Sequence, residues 1–296
     1  MWKFIKKFSI LILLIFISDF FIGKITQHFY FKVKSGDVYD VNYGIKSCDE
    51  DILILGASEV ARSIVSNQLT DSLGLSCYNF GRDGNNIYYQ YFLLENILNR
   101  YQPKLIIIST TVLEESDKTI NNFLPYIGDN NFAKSIVKDI DLTEYYKSFC
   151  RSYCYNSSVI KIAQGNLSRV SNNLNGYKPL YERNNKSNHL DYPEKPYKMG
   201  LSERTLSYYR KFLNLCNSKG VKVVVLSTPK YAKIFDKVEE QQINNLIKDY
   251  DCTYLDFSKD STIYTNSLIF KDITHLNNDG AIFFTGILAS QIKKIL

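Results

Sequence analysis

The stretch that decides the fold is DILILGASEVARS, residues 51–63. Four apolar residues run together and end in Gly56, which is typical of a short, buried strand of a parallel sheet, and a helical pattern begins directly afterwards. Similar apolar runs return at LSCYNFG (75–81), KLIIIST (104–110), VKVVVLST (221–228) and CTYLDF (252–257). Strands alternating with helical patterns predict an α/β fold of three layers, in which a mostly parallel five-stranded sheet carries helices on both faces.

The amino terminus predicts a membrane anchor. Lys3, Lys6 and Lys7 precede an apolar run over residues 8–22, and no small-x-small cleavage site follows. The run is short for a span and suits the core of a cleaved signal peptide as well, but Lys6 and Lys7 can reach the headgroups while the helix extends. We expect an uncleaved anchor over residues 1–24. The leading lysines place the amino end in the cytoplasm and the rest of the chain on the extracytoplasmic side.

Three further segments are expected after the anchor. Residues 25–50 form a linker, and residues 51–296 form the α/β domain. An insertion at about residues 111–200 interrupts that domain, because the strand and helix alternation stops there and much of the segment is polar and rich in Asn.

Composition excludes some classes of function. The chain has 296 residues, and its 36 basic against 30 acidic residues give a net charge of +6. The basic residues are spread out and form no dense run with aromatic residues, so we expect no nucleic-acid partner. The three histidines are dispersed, which argues against a metal site. Cys150 and Cys154 are close enough in sequence for a local disulfide, or are free thiols.

Ser58 follows the first predicted strand. A glycine and a small residue precede it, so a tight turn can present its hydroxyl at the carboxyl end of the sheet, where such folds bind ligands. Its backbone N–H would then lie at a helix start, which favours a developing oxyanion. The alternative is that Ser58 only caps the helix. A capping box would place Glu or Gln at position 61, and the residue there is Ala61.

The stretch KDITHLNNDG (271–280) supplies a partner for that serine. Asp272 and His275 are three residues apart, so the carboxylate can meet the imidazole. A serine nucleophile needs a base, and that base needs an acid that fixes its tautomer. His28 follows the anchor and His189 lies in the polar insertion, so only His275 lies in a connection at the sheet end. The alternative is an ordinary surface histidine that precedes a helix.

Three segments together resemble the SGNH (GDSL-like) hydrolase superfamily. ILILGASEVARS, NFGRDGNN and DITHLNNDGA look like its blocks I, II and V, in the same order. The chain is most similar to membrane-anchored extracytoplasmic members, among them relatives of the D-alanyl transfer protein of teichoic-acid modification and of acetyltransferases of exported polysaccharides. The resemblance covers about residues 51–110 and 201–296. It implies a flavodoxin-like SGNH fold and no cofactor or metal.

The resemblance also implies roles for individual residues. Ser58 would be the nucleophile, His275 the general base and Asp272 its orienting acid. The backbone N–H of Gly81 would join that of Ser58 in the oxyanion hole. The chain departs from the family at block III, whose asparagine is absent from IISTTVLEES (107–116). The residues that could replace this donor are Thr110, Asn85 and Asn86.

The expected reaction is O-acyl transfer or ester hydrolysis through an acyl-serine intermediate. The resemblance implies a cell-surface or exported polysaccharide as the acceptor, and a multispanning membrane protein as the acyl donor. Tyrosines in NIYYQY (86–91) could stack on sugar rings or could simply pack in the core. The alternative function is a catalytically weak or inactive domain that binds glycan or a membrane partner, and the missing asparagine favours it.

Overall fold

The computed structural model describes residues 1–110, 117–168, 174–181, 201–231 and 237–296. The chain forms two compact units. The first, here called the anchor unit, takes residues 1–42 and 117–171, and the second, the sheet unit, takes residues 43–116 and 172–296. Each unit therefore contains segments that are far apart in the sequence.

The sheet unit contains five strands, and each pairs with its neighbours in parallel. They are β1 (Ile52–Leu55), β2 (Cys77–Asn79), β3 (Leu105–Ser109), β4 (Lys222–Ser227) and β5 (Cys252–Asp256). Their order across the sheet is β2-β1-β3-β4-β5. In the register, Ile54 lies opposite Asn79 on one side and Ile107 on the other. The predicted five-stranded parallel sheet is confirmed.

The described residues form twelve α-helices. They are α1 (Trp2–Tyr30), α2 (Asp37–Lys46), α3 (Ser58–Ser63), α4 (Ser66–Leu73), α5 (Ile87–Leu98), α6 (Asn131–Ile140), α7 (Leu142–Lys147), α8 (Val159–Leu167), α9 (Glu203–Ser218), α10 (Lys237–Ile247), α11 (Ser261–Tyr264) and α12 (Asn278–Ile295). Short 3-10 helices cover Asp117–Asn122, Leu124–Tyr126, Tyr153–Ser158 and Ser267–Ile269.

Helices cover both faces of the sheet. On one face, Ile54, Ile107 and Val224 share an apolar cluster with buried residues of α3, α4 and α12. Alternate strand residues such as Leu53 and Ile106 point the opposite way. On that side α5 packs against α9, and α9 packs against β4. The residues of β1 and β3 are fully buried. Each fully buried apolar side chain stabilises the fold by roughly 1.5–3 kcal/mol, which explains the strength of the apolar signal in these two strands.

The anchor unit begins with α1, which is long and apolar enough to cross a membrane. The helix continues past residue 24, where the sequence predicted the anchor to end, and stops at Tyr30. Tyr30 is buried, and its hydroxyl donates to the Tyr126 hydroxyl at 3.3 Å. The side chain of Asn42 donates to the Tyr30 carbonyl at 2.9 Å. The region predicted as a linker, residues 25–50, therefore contains the end of α1 and all of α2.

The described parts of the predicted insertion have structure of their own. Residues 117–168 contribute α6, α7, α8 and three 3-10 helices to the anchor unit. Residues 174–181 belong to the sheet unit instead, where the Asn79 N–H at the end of β2 donates to the Asn175 carbonyl at 2.9 Å. The most polar part of the predicted insertion, residues 182–200, lies outside the described residues.

Candidate active site

A tight turn after β1 places Ser58 at the first position of α3. The helix cap is Ala57, so Ser58 is not the capping residue that the alternative interpretation required. Gly56 allows this turn, since a Cβ there would lie 2.4 Å from Val60 Cγ2 and 3.1 Å from Ser109 Cβ. The Ser58 hydroxyl is therefore available for another partner.

That partner is His275, as the sequence predicted. His275 Nε2 lies 2.8 Å from Ser58 Oγ. The other ring nitrogen, Nδ1, lies 2.9 Å from Oδ2 and 3.0 Å from Oδ1 of Asp272. The structure thus brings the three residues together in one hydrogen-bonded chain, which has the geometry of a nucleophile, its base and the acid that orients the base.

A closed turn holds the acid and the base. The N–H groups of Thr274 and His275 both donate to Asp272 Oδ1 at 2.9 Å, and the Lys271 N–H donates to the His275 carbonyl at 2.8 Å. Phe270 and Leu276, both fully buried, form an antiparallel bridge at the base of this turn. The spacing of three residues therefore acts through a loop, in which the carboxylate fixes the backbone as well as the imidazole.

The hydrogen bonds of Asp272 favour its ionised form. Burial raises the pKa of this carboxyl, but the hydrogen bonds from the His275 ring and from two backbone N–H groups lower the pKa by more than burial raises it. The net pKa therefore lies well below its usual value. An ionised Asp272 can only accept hydrogen bonds, so Nδ1 of His275 carries the proton. Nε2 is then the acceptor for the Ser58 hydroxyl, as a general base requires.

The segment after β2 is fixed to α3 by Asn79, a residue that the sequence analysis missed. Its buried side chain donates to the carbonyls of Val60 and Ile64 at 2.9 and 3.0 Å. Its Oδ1 accepts the Gly81 N–H at 2.8 Å. A Cβ at Gly81 would lie 2.4 Å from the Ala61 nitrogen, so this glycine is required for the close approach. The signal for Asn79 was a polar side chain at the end of an otherwise apolar strand.

This arrangement bears on the oxyanion hole. The Gly81 N–H, which the resemblance implied as a donor, is already donated to Asn79. For Gly81 to stabilise an oxyanion, this bond would have to be exchanged, so the role stays a prediction. The oxyanion role of the Ser58 N–H likewise stays a prediction.

The residues proposed to replace the block III asparagine are buried near the strand ends. Thr110, directly after β3, has its hydroxyl 3.1 Å from that of Ser227, which in turn lies 2.9 Å from the Tyr254 hydroxyl. Asn85 and Asn86 are 3% and 1% exposed, just before α5. Residues 111–116, the rest of the stretch in which the asparagine was sought, lie outside the described residues.

Lys178 is a cation beside the block II segment that the sequence did not suggest. Its backbone N–H donates to the Ala61 carbonyl at 2.8 Å and its Nζ donates to the Gly81 carbonyl at 3.2 Å. Residues 174–181 therefore contact both α3 and the Gly81 loop, although the resemblance did not extend to them.

Two of the three tyrosines of α5 belong to the core. Tyr88 and Tyr89 are 5% and 0% exposed. The Tyr89 hydroxyl accepts from Arg82 at 2.9 Å, and the Tyr88 hydroxyl lies 3.2 Å from that of Thr205. Packing, the second interpretation of NIYYQY, is therefore what the structure shows for these two rings.

All six cysteines are free thiols. The local disulfide considered for Cys150 and Cys154 does not form, and Cys154 Sγ lies 3.4 Å from the Ser148 carbonyl instead. Burial raises the pKa of the Cys154 thiol to about 11, which makes it a poor nucleophile.

Comparison with known proteins gives similarity at the level of the fold. No protein-family model matches the chain, and no curated protein matches it. The solved structure of the esterase EstA from Pseudoalteromonas sp. is 12% identical, covers 83% of this chain and 98% of its own, and has a TM-score of 0.45. A GDSL-like lipase from Bacteroides thetaiotaomicron is 12% identical, covers 83% of this chain and 88% of its own, and has a TM-score of 0.39. At these values the similarity assigns no activity to the chain.

Proposed function

We propose that this chain is an SGNH-type serine enzyme that transfers an O-acyl group or hydrolyses an ester. The observation that carries the proposal is the chain of hydrogen bonds from Ser58 Oγ to His275 Nε2, at 2.8 Å, and from His275 Nδ1 to Asp272, at 2.9 Å. A binding module has no evident need for all three side chains in this order.

The reaction follows from that geometry. Ser58 Oγ attacks the acyl carbon while its proton moves to His275 Nε2. The imidazolium, stabilised by ionised Asp272, then gives the proton to the leaving oxygen as its bond to the acyl carbon breaks. His275 next takes a proton from water or a sugar hydroxyl, whose oxygen attacks the acyl-serine. The proton returns to Ser58 Oγ as the acyl group leaves.

The acceptor that we propose is a cell-surface or exported polysaccharide. The apolar helix α1, with Lys3, Lys6 and Lys7 at its start, supports a membrane anchor whose amino end is cytoplasmic and whose catalytic part is extracytoplasmic. An anchored enzyme would meet glycan where it is exported, and a multispanning membrane protein would supply the acyl group. The resemblance to anchored SGNH members supports both partners.

One observation favours a second function. The Gly81 N–H is donated to Asn79, and one lost oxyanion donor costs on the order of 10²–10³ in rate. A domain with a weakened oxyanion hole could bind glycan or a membrane partner without turnover.

Hydrolysis of p-nitrophenyl acetate by the full-length protein in detergent micelles separates these functions. The full chain is needed because Tyr30, the last residue of α1, is buried within the anchor unit. We expect turnover by the wild type and by the control Ser290→Ala, whose exposed hydroxyl donates to the Gly286 carbonyl of its own helix, and none above background by Ser58→Ala. A folded wild type that is no faster than Ser58→Ala would favour the binding function. Adding a glycan acceptor and measuring its gain of one acetyl group by mass spectrometry then separates transfer from hydrolysis.

A further inference from the structure

The anchor unit presents apolar side chains to solvent beside the proposed membrane helix. Here the apolar patch means Leu142, Tyr146, Phe149, Val159 and Ile160. Their exposed fractions are 54%, 63%, 63%, 54% and 72%, in that order. The first three lie on or just after α7 and the last two begin α8, so the patch flanks the 3-10 helix Tyr153–Ser158 in the sequence.

The segment between the two halves of the patch is bonded to α1. The backbone N–H groups of Arg151 and Ser152 donate to the Asp19 carboxylate at 2.8 and 3.0 Å, and the Ser152 hydroxyl donates to it as well. Gly23, one turn further along α1, makes the approach possible, since a Cβ there would lie 2.4 Å from Arg151 Cβ. Phe149 and Gly23 line the same cleft, so the patch lies beside this part of the helix.

The position of Asp19 along α1 sets the depth of this segment. A hydrocarbon core of about 30 Å takes about 20 helical residues. A span of that length that starts at Phe4 ends near Gly23, and one that starts at Phe8 ends near Gln27. Asp19 therefore lies roughly 6–12 Å inside the outer limit of the span.

A carboxylate at that depth is costly unless donors reach it. Three donors from Arg151 and Ser152 do so. They must then lie at the same level of the membrane, and Phe149, two residues before Arg151, lies close to it. The Arg151 guanidinium is placed 5.2 Å from the centre of the Phe20 ring, so its charge is held against α1 as well.

The chemistry of the patch fits a bilayer interface. The rings of Tyr146 and Phe149 lie 6.1 Å apart, and Tyr145 joins them at 5.5 and 5.4 Å. Lys138 lies 5.8 Å from the Tyr145 ring. Aromatic side chains with an adjacent lysine are the residues that concentrate at headgroup level, where rings enter the acyl boundary and ammonium groups reach phosphates.

We propose that the apolar patch docks into the phospholipid headgroup and acyl boundary of the bilayer face from which α1 emerges. The anchor unit then holds the membrane by a span and by a second, peripheral surface, which fixes its orientation on the membrane. This inference rests on the proposed membrane anchor, and its test has to separate failure of the patch from failure of the anchor.

Quenching of single tryptophans by brominated phosphatidylcholine makes that separation. The only native tryptophan is Trp2, so each variant carries Trp2→Phe in the full chain, reconstituted into vesicles. Phe149→Trp reports on the patch and Leu13→Trp reports on the span. Tyr181→Trp, at a residue that is 76% exposed in the sheet unit, is the matched control for an exposed position.

We expect the tryptophan at position 149 to lose most fluorescence when the bromines lie near the headgroups. The tryptophan at position 13 should lose most fluorescence when the bromines lie deep in the acyl chains. No loss is expected at position 181. Quenching at 13 with none at 149 would overturn the patch and leave the anchor standing, whereas no quenching at 13 would overturn both. Adding Asp19→Ala should reduce the loss at 149 and leave that at 13 unchanged, because it removes the acceptor of the three donated bonds.

Discussion

Replacing Asn79 by alanine tests the physical link between block II and the nucleophile. The side chain is fully buried and makes three hydrogen bonds, to the Val60 carbonyl, the Ile64 carbonyl and the Gly81 N–H. The variant leaves the Ile64 carbonyl and the Gly81 N–H buried without that partner, whereas the Val60 carbonyl still accepts the Ile64 N–H at 3.3 Å. An unsatisfied buried polar group costs about 1–3 kcal/mol, so a loss of at least about 2 kcal/mol in the free energy of unfolding is expected.

Thermal unfolding of the full-length protein in detergent, followed by circular dichroism, measures this loss. The sheet unit falls in the size range in which 1 kcal/mol shifts Tm by roughly 2–4 °C, so a decrease of about 4–8 °C or more is expected. At temperatures at which both proteins are folded, the variant should also have lower esterase activity than the wild type. The reason is that Val60 and Ile64 lie within and just after the helix that begins at Ser58. The matched control is Asn217→Ala on the exposed surface of α9, where a change within about 0.5 kcal/mol is expected. A Tm of Asn79→Ala equal to that of the control would refute the reasoning.

Three further predictions concern the turn that holds Asp272 and His275 and the turn that precedes Ser58. Asp272→Asn should keep the fold and lower kcat by roughly 10³–10⁴-fold, because no carboxylate then fixes the His275 tautomer. Steady-state kinetics on p-nitrophenyl acetate measure this decrease. An unchanged kcat would contradict the role proposed for Asp272. Because the pKa of Asp272 is lower in the folded state, its stabilising contribution is present above its usual pKa of about 4 and is lost as the pH falls through the lowered value. The difference in Tm between wild type and Asp272→Asn should therefore be constant from neutral pH down to about pH 5 and shrink only in stronger acid, and a difference that shrinks near pH 6 would assign the effect to another group. Gly56→Ala should reduce both Tm and activity, since the added Cβ would lie 2.4 Å from Val60 Cγ2. The control Gly128→Ala should change neither, because a Cβ there would have nothing within 4 Å. Equal Tm values for the two variants would contradict this prediction.

The sheet and the hydrogen-bonded contact of Ser58, His275 and Asp272 could be predicted because their signals are local. Four fully buried residues in β1 have to be apolar, so the strand is visible in the sequence. His275 could be found by elimination among three histidines. The meeting of His275 with Ser58, 217 residues away, needed only the rule that parallel strands present their carboxyl ends at one edge.

The features that were missed depend on distant partners. The helical pattern predicted after the first strand gave no sign of a break at Ile64. This residue is extended in the structure, and the next N–H, that of Val65, donates to Thr285 Oγ1 on α12. The helices within residues 117–168 gave no strand and helix alternation to predict them from, because they pack on α1, which lies far earlier in the sequence. Asn79 was missed because a polar residue at a strand end is also the usual mark of a loop.

The central claim is that Ser58 is a nucleophile activated by His275, and intact-mass analysis after treatment with a fluorophosphonate probe tests it most directly. The full-length protein in detergent would be labelled beside Ser58→Ala, His275→Ala and the control Ser290→Ala. The account predicts one adduct on the wild type and on Ser290→Ala, and none on Ser58→Ala or His275→Ala. A folded wild type without an adduct, or an adduct that persists in Ser58→Ala, would contradict it.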